Sequence, residues 1–255
     1  MPQTSDNALR AIGLPILTAF LVCAAWQVMT IWTRVPATLL PPPSSIAHDF
    51  TFSLAELSRH GLVSGSEALL AFLLAMVAGG GGALLLTYSR LARDTLMPLI
   101  VVFQLIPKVA LAPLFIVWLG TDTAARVAFA MFLSFFPVLI STMTGLTNAD
   151  SGAVRLCRSL SASEWQIFRS IRIPSALPYF FSGLKVAVTM AVTGIIVAEF
   201  ISAQSGLGYL VLNLASRVET SRIFAAILML CLIGLGLYGL VALAENVARQ
   251  WYRGR

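Results

Sequence analysis

Charge is what this chain has least of. Only 11% of its 255 residues are Asp, Glu, Lys or Arg, against 58% hydrophobic, and the mean hydropathy is +0.87. That composition excludes an ordinary water-soluble domain and indicates a polytopic membrane protein, for which one domain suffices. Catalytic patterns are missing as well. No H-E-x-x-H, no clustered Asp/His set and no G-x-S-x-G occurs, which leaves a membrane-embedded enzyme without a site. No G-x-x-x-x-G-K-[ST] occurs either, so the chain is not expected to bind ATP through a P-loop. Cys23, Cys157 and Cys231 are odd in number and lack C-x-x-C spacing, implying neither disulfide framework nor zinc site. His48 and His60 stand more than three helical turns apart and read as surface polar residues, not metal ligands. The net charge of +6 is the ordinary consequence of basic loops between apolar spans and calls for no nucleic acid.

What the chain does have is long apolar runs. Six spans are predicted, at roughly 12–33, 67–88, 96–119, 124–146, 184–203 and 224–244. The first follows a short polar tail, Met1 to Ala11. Its apolar run is too long for the core of a signal peptide. Between the first two, the proline-rich Leu40–Ser45 precedes Ile46–Leu62, which reads as an interfacial amphipathic helix. Gly79 to Gly82 in the second span suit close helix approach and bending. The third span is interrupted by Pro98, Pro107 and Pro113 and carries Lys108. The fifth carries Glu199. Ionisable residues at such depth mark a path or gate, so Lys108, Pro107 and Glu199 are candidates, with Glu199 as the expected partner of Lys108. Residues 205–222 are too polar overall to span and read as a re-entrant or surface-lying segment.

Asp150 to Pro178 is the polar exception. Arg155, Arg158, Arg169 and Arg172 cannot sit in hydrocarbon without a cost of about 2.5–3.5 kcal/mol each, so this stretch lies outside the bilayer. Leu156 and Leu160 share a helical face, and Trp165, Phe168 and Ile171 follow at three-residue steps, predicting two short amphipathic helices. Ser161 with Glu164 reads as a capping box between them, and Pro174 and Pro178 are expected to close the second. The basic residues favour an interior amino terminus. Eleven (Arg10, Arg90, Arg93, Arg155, Arg158, Arg169, Arg172, Lys185, Arg249, Arg253, Arg255) then face the cytoplasm and five (Arg34, Arg59, Arg126, Arg217, Arg222) the exterior.

The elbow resembles the loop signature of permease subunits of bacterial ABC importers, an E-A-A triplet, a glycine six residues after its first letter, then I-x-L-P. Here the triplet falls on Arg155, Leu156 and Cys157, the glycine on Ser161, and the ending on Ile171, Arg172, Ile173 and Pro174. The acidic letter has become basic and the glycine serine. LPPPSSI from Leu40, PKVALAPLFIVWLG from Pro107 and AEFISAQSGLGYL from Ala198 extend the resemblance to the nitrate, sulfonate, taurine and vitamin-precursor branch.

The resemblance implies an all-α membrane fold of the type I importer class, in the bacterial inner membrane, with the elbow's first helix as coupling helix. Arg155, Leu156, Arg158, Ser159, Leu160, Ser161, Ala162 and Ser163 would meet an ATPase. It implies two ABC ATPase subunits holding ATP and magnesium, with no cofactor in this chain, and a periplasmic binding protein. Candidate contacts for that protein are 40–66 and 206–222. Six spans make a thin wall, so a second permease copy, most simply in a homodimer, is expected to close the path for a small polar or anionic solute. The alternative is an ion-gradient-driven secondary transporter, which would also use Lys108 and Glu199 within spans.

Overall fold

The structure is a computed structural model that describes the backbone of residues 3–253 and the side chains of residues 13–250. Arg10, Arg253 and Arg255, three of the residues counted for orientation, and the start of the expected polar tail lie outside those side chains. The backbone is helical almost throughout. Among the described residues five helices are long and apolar enough to cross a membrane, and a bent pair supplies a sixth candidate. The chain forms two compact units, Met1–Ser58 with Leu210–Met229 and Arg59–Tyr209 with Leu230–Arg255.

In the first unit, α1 (Gln3–Trp32) includes most of the expected tail as well as the first span. A proline-rich turn leads to α2 (Pro43–Phe52), whose proline occupies the first turn, where no backbone donor is needed. The Gln27 side chain ties α1 to α2, donating to Ser44 Oγ at 3.0 Å and accepting from the Ser44 amide at 3.0 Å. The expected single helix over 46–62 is not formed. Ser53 breaks it, and everything from Leu54 joins the second span as one helix, α3 (Leu54–Tyr88). Arg222, at the start of α11 (Thr220–Arg253), pairs with Glu56 and Glu219 at 2.5 Å each.

The second unit is organised on α6 (Thr123–Thr147) and α9 (Ile173–Ser202), the most extensive helix pair. They run antiparallel, and glycine permits the approach. A Cβ on Gly194 would lie 2.7 Å from the Ala130 Cα, one on Gly183 2.9 Å from the Pro137 carbonyl oxygen, and one on Gly145 2.8 Å from the Ala176 Cα. In lipid, helices gain little from hiding apolar surface from one another, so backbone proximity and dispersion replace the hydrophobic term. Gly79 and Gly82 do the same where α3 crosses α6, while α3 stays one unbroken helix. Arg126, counted among exterior loop residues, is buried in the first turn of α6 and grips Glu67 of α3 through Nε at 2.9 Å and Nη2 at 2.5 Å.

The prolines of the third span act unequally. Pro98 lies inside α4 (Arg90–Leu105), and Pro113 sits in the first turn of α5 (Ala112–Leu119). Only Pro107 marks a break. There the chain leaves α4 extended, makes a short 3-10 turn at Lys108–Leu111, and the pair is bent by 93°. Arg93 fastens the preceding corner by donating to the Leu86 and Thr87 carbonyls at 3.1 Å each.

Candidate functional site: the polar elbow and the Lys108 cavity

The elbow begins with a capped helix, α7 (Ser151–Ser159), whose Asp150 side chain accepts from the Gly152 amide at 2.8 Å. It ends in a Schellman turn. Ser161 donates to the Arg158 carbonyl and Ala162 to the Cys157 carbonyl, both at 3.0 Å, with Ser161 at φ +59°. The residue in the family's glycine slot thus adopts the left-handed conformation that glycine adopts freely. Ser161 is therefore a helix C-terminal residue, and the capping box lies two residues later. Ser163 caps α8 (Glu164–Ile167), its Oγ accepting from the Gln166 amide at 3.3 Å while Gln166 accepts from the Ser163 amide at 2.7 Å. Glu164 is occupied otherwise, accepting from Arg158 Nη2 at 2.8 Å across the turn.

The second helix does not close at Pro174. A π-helical turn, Phe168–Arg172, leads directly into α9 with Pro174 in its first turn and Pro178 inside it. Proline crowds the carbonyl four residues back, which for Pro174 is Ser170 in this wider turn, so the local winding accommodates the ring. The three expected facial residues part company here. Trp165 is exposed, while Phe168 is partly buried against the cluster of Ala83, Leu86, Leu139, Leu146 and Ala176. Ile171 is half-buried. Ile167, which periodicity did not single out, is buried.

The result is a handle fixed at its base. No residue of α7 is buried, and Leu156 and Leu160 are 62% and 74% exposed. Arg155 and Arg158 are exposed on the same helix. Ser159, also exposed, donates its hydroxyl to the Leu156 carbonyl of its own helix at 2.8 Å. The exposed face of α7 thus combines two apolar side chains with two cations.

Lys108 and Glu199 are not brought together. Lys108 Nζ stands 4.7 Å from the centre of the Phe136 ring, and both line a 320 Å³ cavity beside the Pro107 break. Glu199 is 1% exposed and already satisfied, accepting from Ser64 Oγ and from the Gly208 amide at 2.6 Å each. Around it Leu207 donates to Ser64 Oγ at 2.8 Å and Gly206 to His60 Nδ1 at 3.1 Å. His60 is therefore a buried residue of α3, not a surface one. Gly206 at φ +107° leaves no room for a Cβ beside the Glu199 carboxylate. Glu199 is thus a seat for the turn into α10 (Leu207–Ser216). Sequence reading misses Ser64 and places His60 at the surface; the available signal is the glycine pair spaced seven and nine residues after Glu199.

These features can be set beside known proteins. Residues 71–249 match the family model of the binding-protein-dependent transport system inner membrane component. The riboflavin transport system permease protein RibX of Chloroflexus aurantiacus is 34% identical over 94% of this chain and 90% of its own. The formylaminopyrimidine transport permease protein ThiX of Halalkalibacterium halodurans is 30% identical over 93% of this chain and 95% of its own. Among solved structures, an inward-facing MetNI methionine ABC transporter superposes with a TM-score of 0.60 at 18% identity, over 74% of this chain and 96% of that one. The type I importer fold expected from the elbow is the fold observed. With the family model covering most of its length, the chain belongs to the binding-protein-dependent inner membrane components and is the multi-pass permease of an ABC importer.

Proposed function

We propose that α7 is the coupling helix through which separate ATPase subunits drive this permease. The observation that carries the reading is the combination of exposed Leu156 and Leu160 with a base immobilised by Ile167 and Phe168. A short helix capped at both ends transmits a rigid-body rotation that a loose loop would absorb. Arg155 makes no ion pair among the described residues and is available to an acidic rim on the partner, whereas Arg158 first has to leave Glu164. Ser161, Ala162 and Ser163 set the angle of the handle.

In this reading two copies of the chain form a homodimer around the path, two ATPase subunits hold ATP and magnesium, and a periplasmic binding protein delivers a small polar or anionic solute. Both termini and the elbow face the cytoplasm, in keeping with the basic-residue asymmetry. Lys108 and Pro107 line the path at the bend of the third span. Glu199 acts on it only by holding the α10 turn. The secondary-transporter alternative is not favoured, and the expected Lys108–Glu199 pair of the path is not formed.

The test is Leu160→Asp. Leu160 packs into no core, so the permease inserts normally, but a carboxylate buried unpaired in the ATPase groove costs several kcal/mol. Transport and binding-protein-stimulated ATP hydrolysis fall together. Normal transport by this variant means that α7 is not the coupling element.

A further inference from the structure

The cavity beside the third-span bend holds an unusual set of polar groups. Its lining includes Gln104, Lys108, Ser141, Thr144 and Tyr179, with the Phe136 ring, and no Asp or Glu. Thr144 spends its hydroxyl on the Ile140 carbonyl at 2.8 Å. No hydrogen bond within the described residues engages the side chains of Gln104, Ser141 or Tyr179, and Lys108 has no carboxylate partner there. A lysine placed within a span ordinarily finds an acid. This one rests on the face of an aromatic ring, a weaker contact than a charge-assisted hydrogen bond. At 320 Å³ the space is of small-ligand size.

We propose that this cavity is a transient binding site for an anionic oxygen group, a carboxylate, sulfonate or phosphate, on the solute passing through the permease. The proposal rests on the importer reading and adds to it a place and a charge. The anion takes Lys108 off the Phe136 ring and is completed by neutral donors from Ser141, Tyr179 and Gln104. The absence of any carboxylate in the lining removes the competing intramolecular partner, and selectivity comes from the single unneutralised ammonium. A neutral solute of the same shape gains only the hydroxyl and amide contacts.

The chain has two lysines, Lys108 and Lys185, and the second is an internal control because it is paired with Glu245 at 2.5 Å. The permease–ATPase complex in phosphatidylcholine nanodiscs is acetylated by a limiting dose of acetic anhydride, and both lysine peptides are followed by mass spectrometry. Methanesulfonate is compared with dimethyl sulfone, its neutral isostere. Methanesulfonate is expected to slow Lys108 acetylation about threefold at twice its dissociation constant, since protection scales as 1 + [L]/Kd. Dimethyl sulfone leaves it unchanged, and Lys185 responds to neither. Equal protection by the sulfone, no protection by the sulfonate, or equal slowing of Lys185 overturns the proposal. So does protection that comes from phosphatidylglycerol in the nanodisc, with methanesulfonate adding nothing, because the occupant is then a lipid headgroup. Binding-protein-stimulated ATP hydrolysis is measured on the same preparation. If stimulation is present while protection is absent, the anion site fails and the importer reading stands.

Discussion

Glu199→Ala is the perturbation whose cost follows most directly from the structure. The carboxylate is buried and takes two short hydrogen bonds, from Ser64 Oγ and the Gly208 amide, at 2.6 Å each. Alanine leaves both donors without an acceptor in a site closed to water. Each stranded group costs about 1–3 kcal/mol, so the variant loses about 2–6 kcal/mol before any cavity is counted. Glu199→Gln keeps one acceptor oxygen and turns an amide NH2 toward the other donor, so about half of that loss is expected. Ser64→Ala removes one of the same bonds and also strands the Leu207 amide, which donates to Ser64 Oγ. Residues that share a network do not add, and the Ser64/Glu199 double variant should show a coupling of about 0.5–3 kcal/mol. Thermal unfolding of the purified complex gives the four corners of the cycle. Strict additivity would falsify the seat. So would a Glu199→Gln protein of unchanged thermal stability that no longer transports, since that is the behaviour of a residue in the path.

Two further outcomes concern the elbow. Ser161→Gly should tighten α7 by about 1 kcal/mol, because serine at φ +59° carries a left-handed strain that glycine lacks; slower amide exchange over Ser151–Ser159 with transport retained is the measurement, and unchanged exchange contradicts it. For orientation, Ser161→Cys in a Cys157→Ser background should resist an impermeant thiol reagent on intact cells and react in inverted vesicles. Labelling from outside reverses the assignment of both termini.

The helical fold and the elbow were legible because their signals are local. Apolar run length places spans, and four arginines within a short stretch place Asp150–Pro178 outside lipid. Sequence alone does not separate the capping residue from its neighbour two positions away, because Ser161-x-x-Glu164 and Ser163-x-x-Gln166 both fit the same pattern. Only the geometry shows that Glu164 answers Arg158. Proline misled for a physical reason. Pro113 and Pro174 occupy first turns, where the missing N–H is no loss, so of the prolines expected to break helices only Pro107 does so. The seat of Glu199 is illegible in the sequence because Ser64 lies 135 residues away and belongs to a helix whose first residues have the pattern of a separate interfacial segment.

The central claim, that α7 docks in an ATPase, is tested most directly by a photo-cross-link. Leu160→Cys, in a chain lacking its three native cysteines, is labelled with benzophenone-maleimide and irradiated in membranes that also contain the cognate ATPase subunit. The adduct should contain peptides of the P-loop subunit, and its yield should change when nucleotide closes the ATPase pair. Cross-linking only to lipid, with the ATPase present and the complex intact, would contradict the claim.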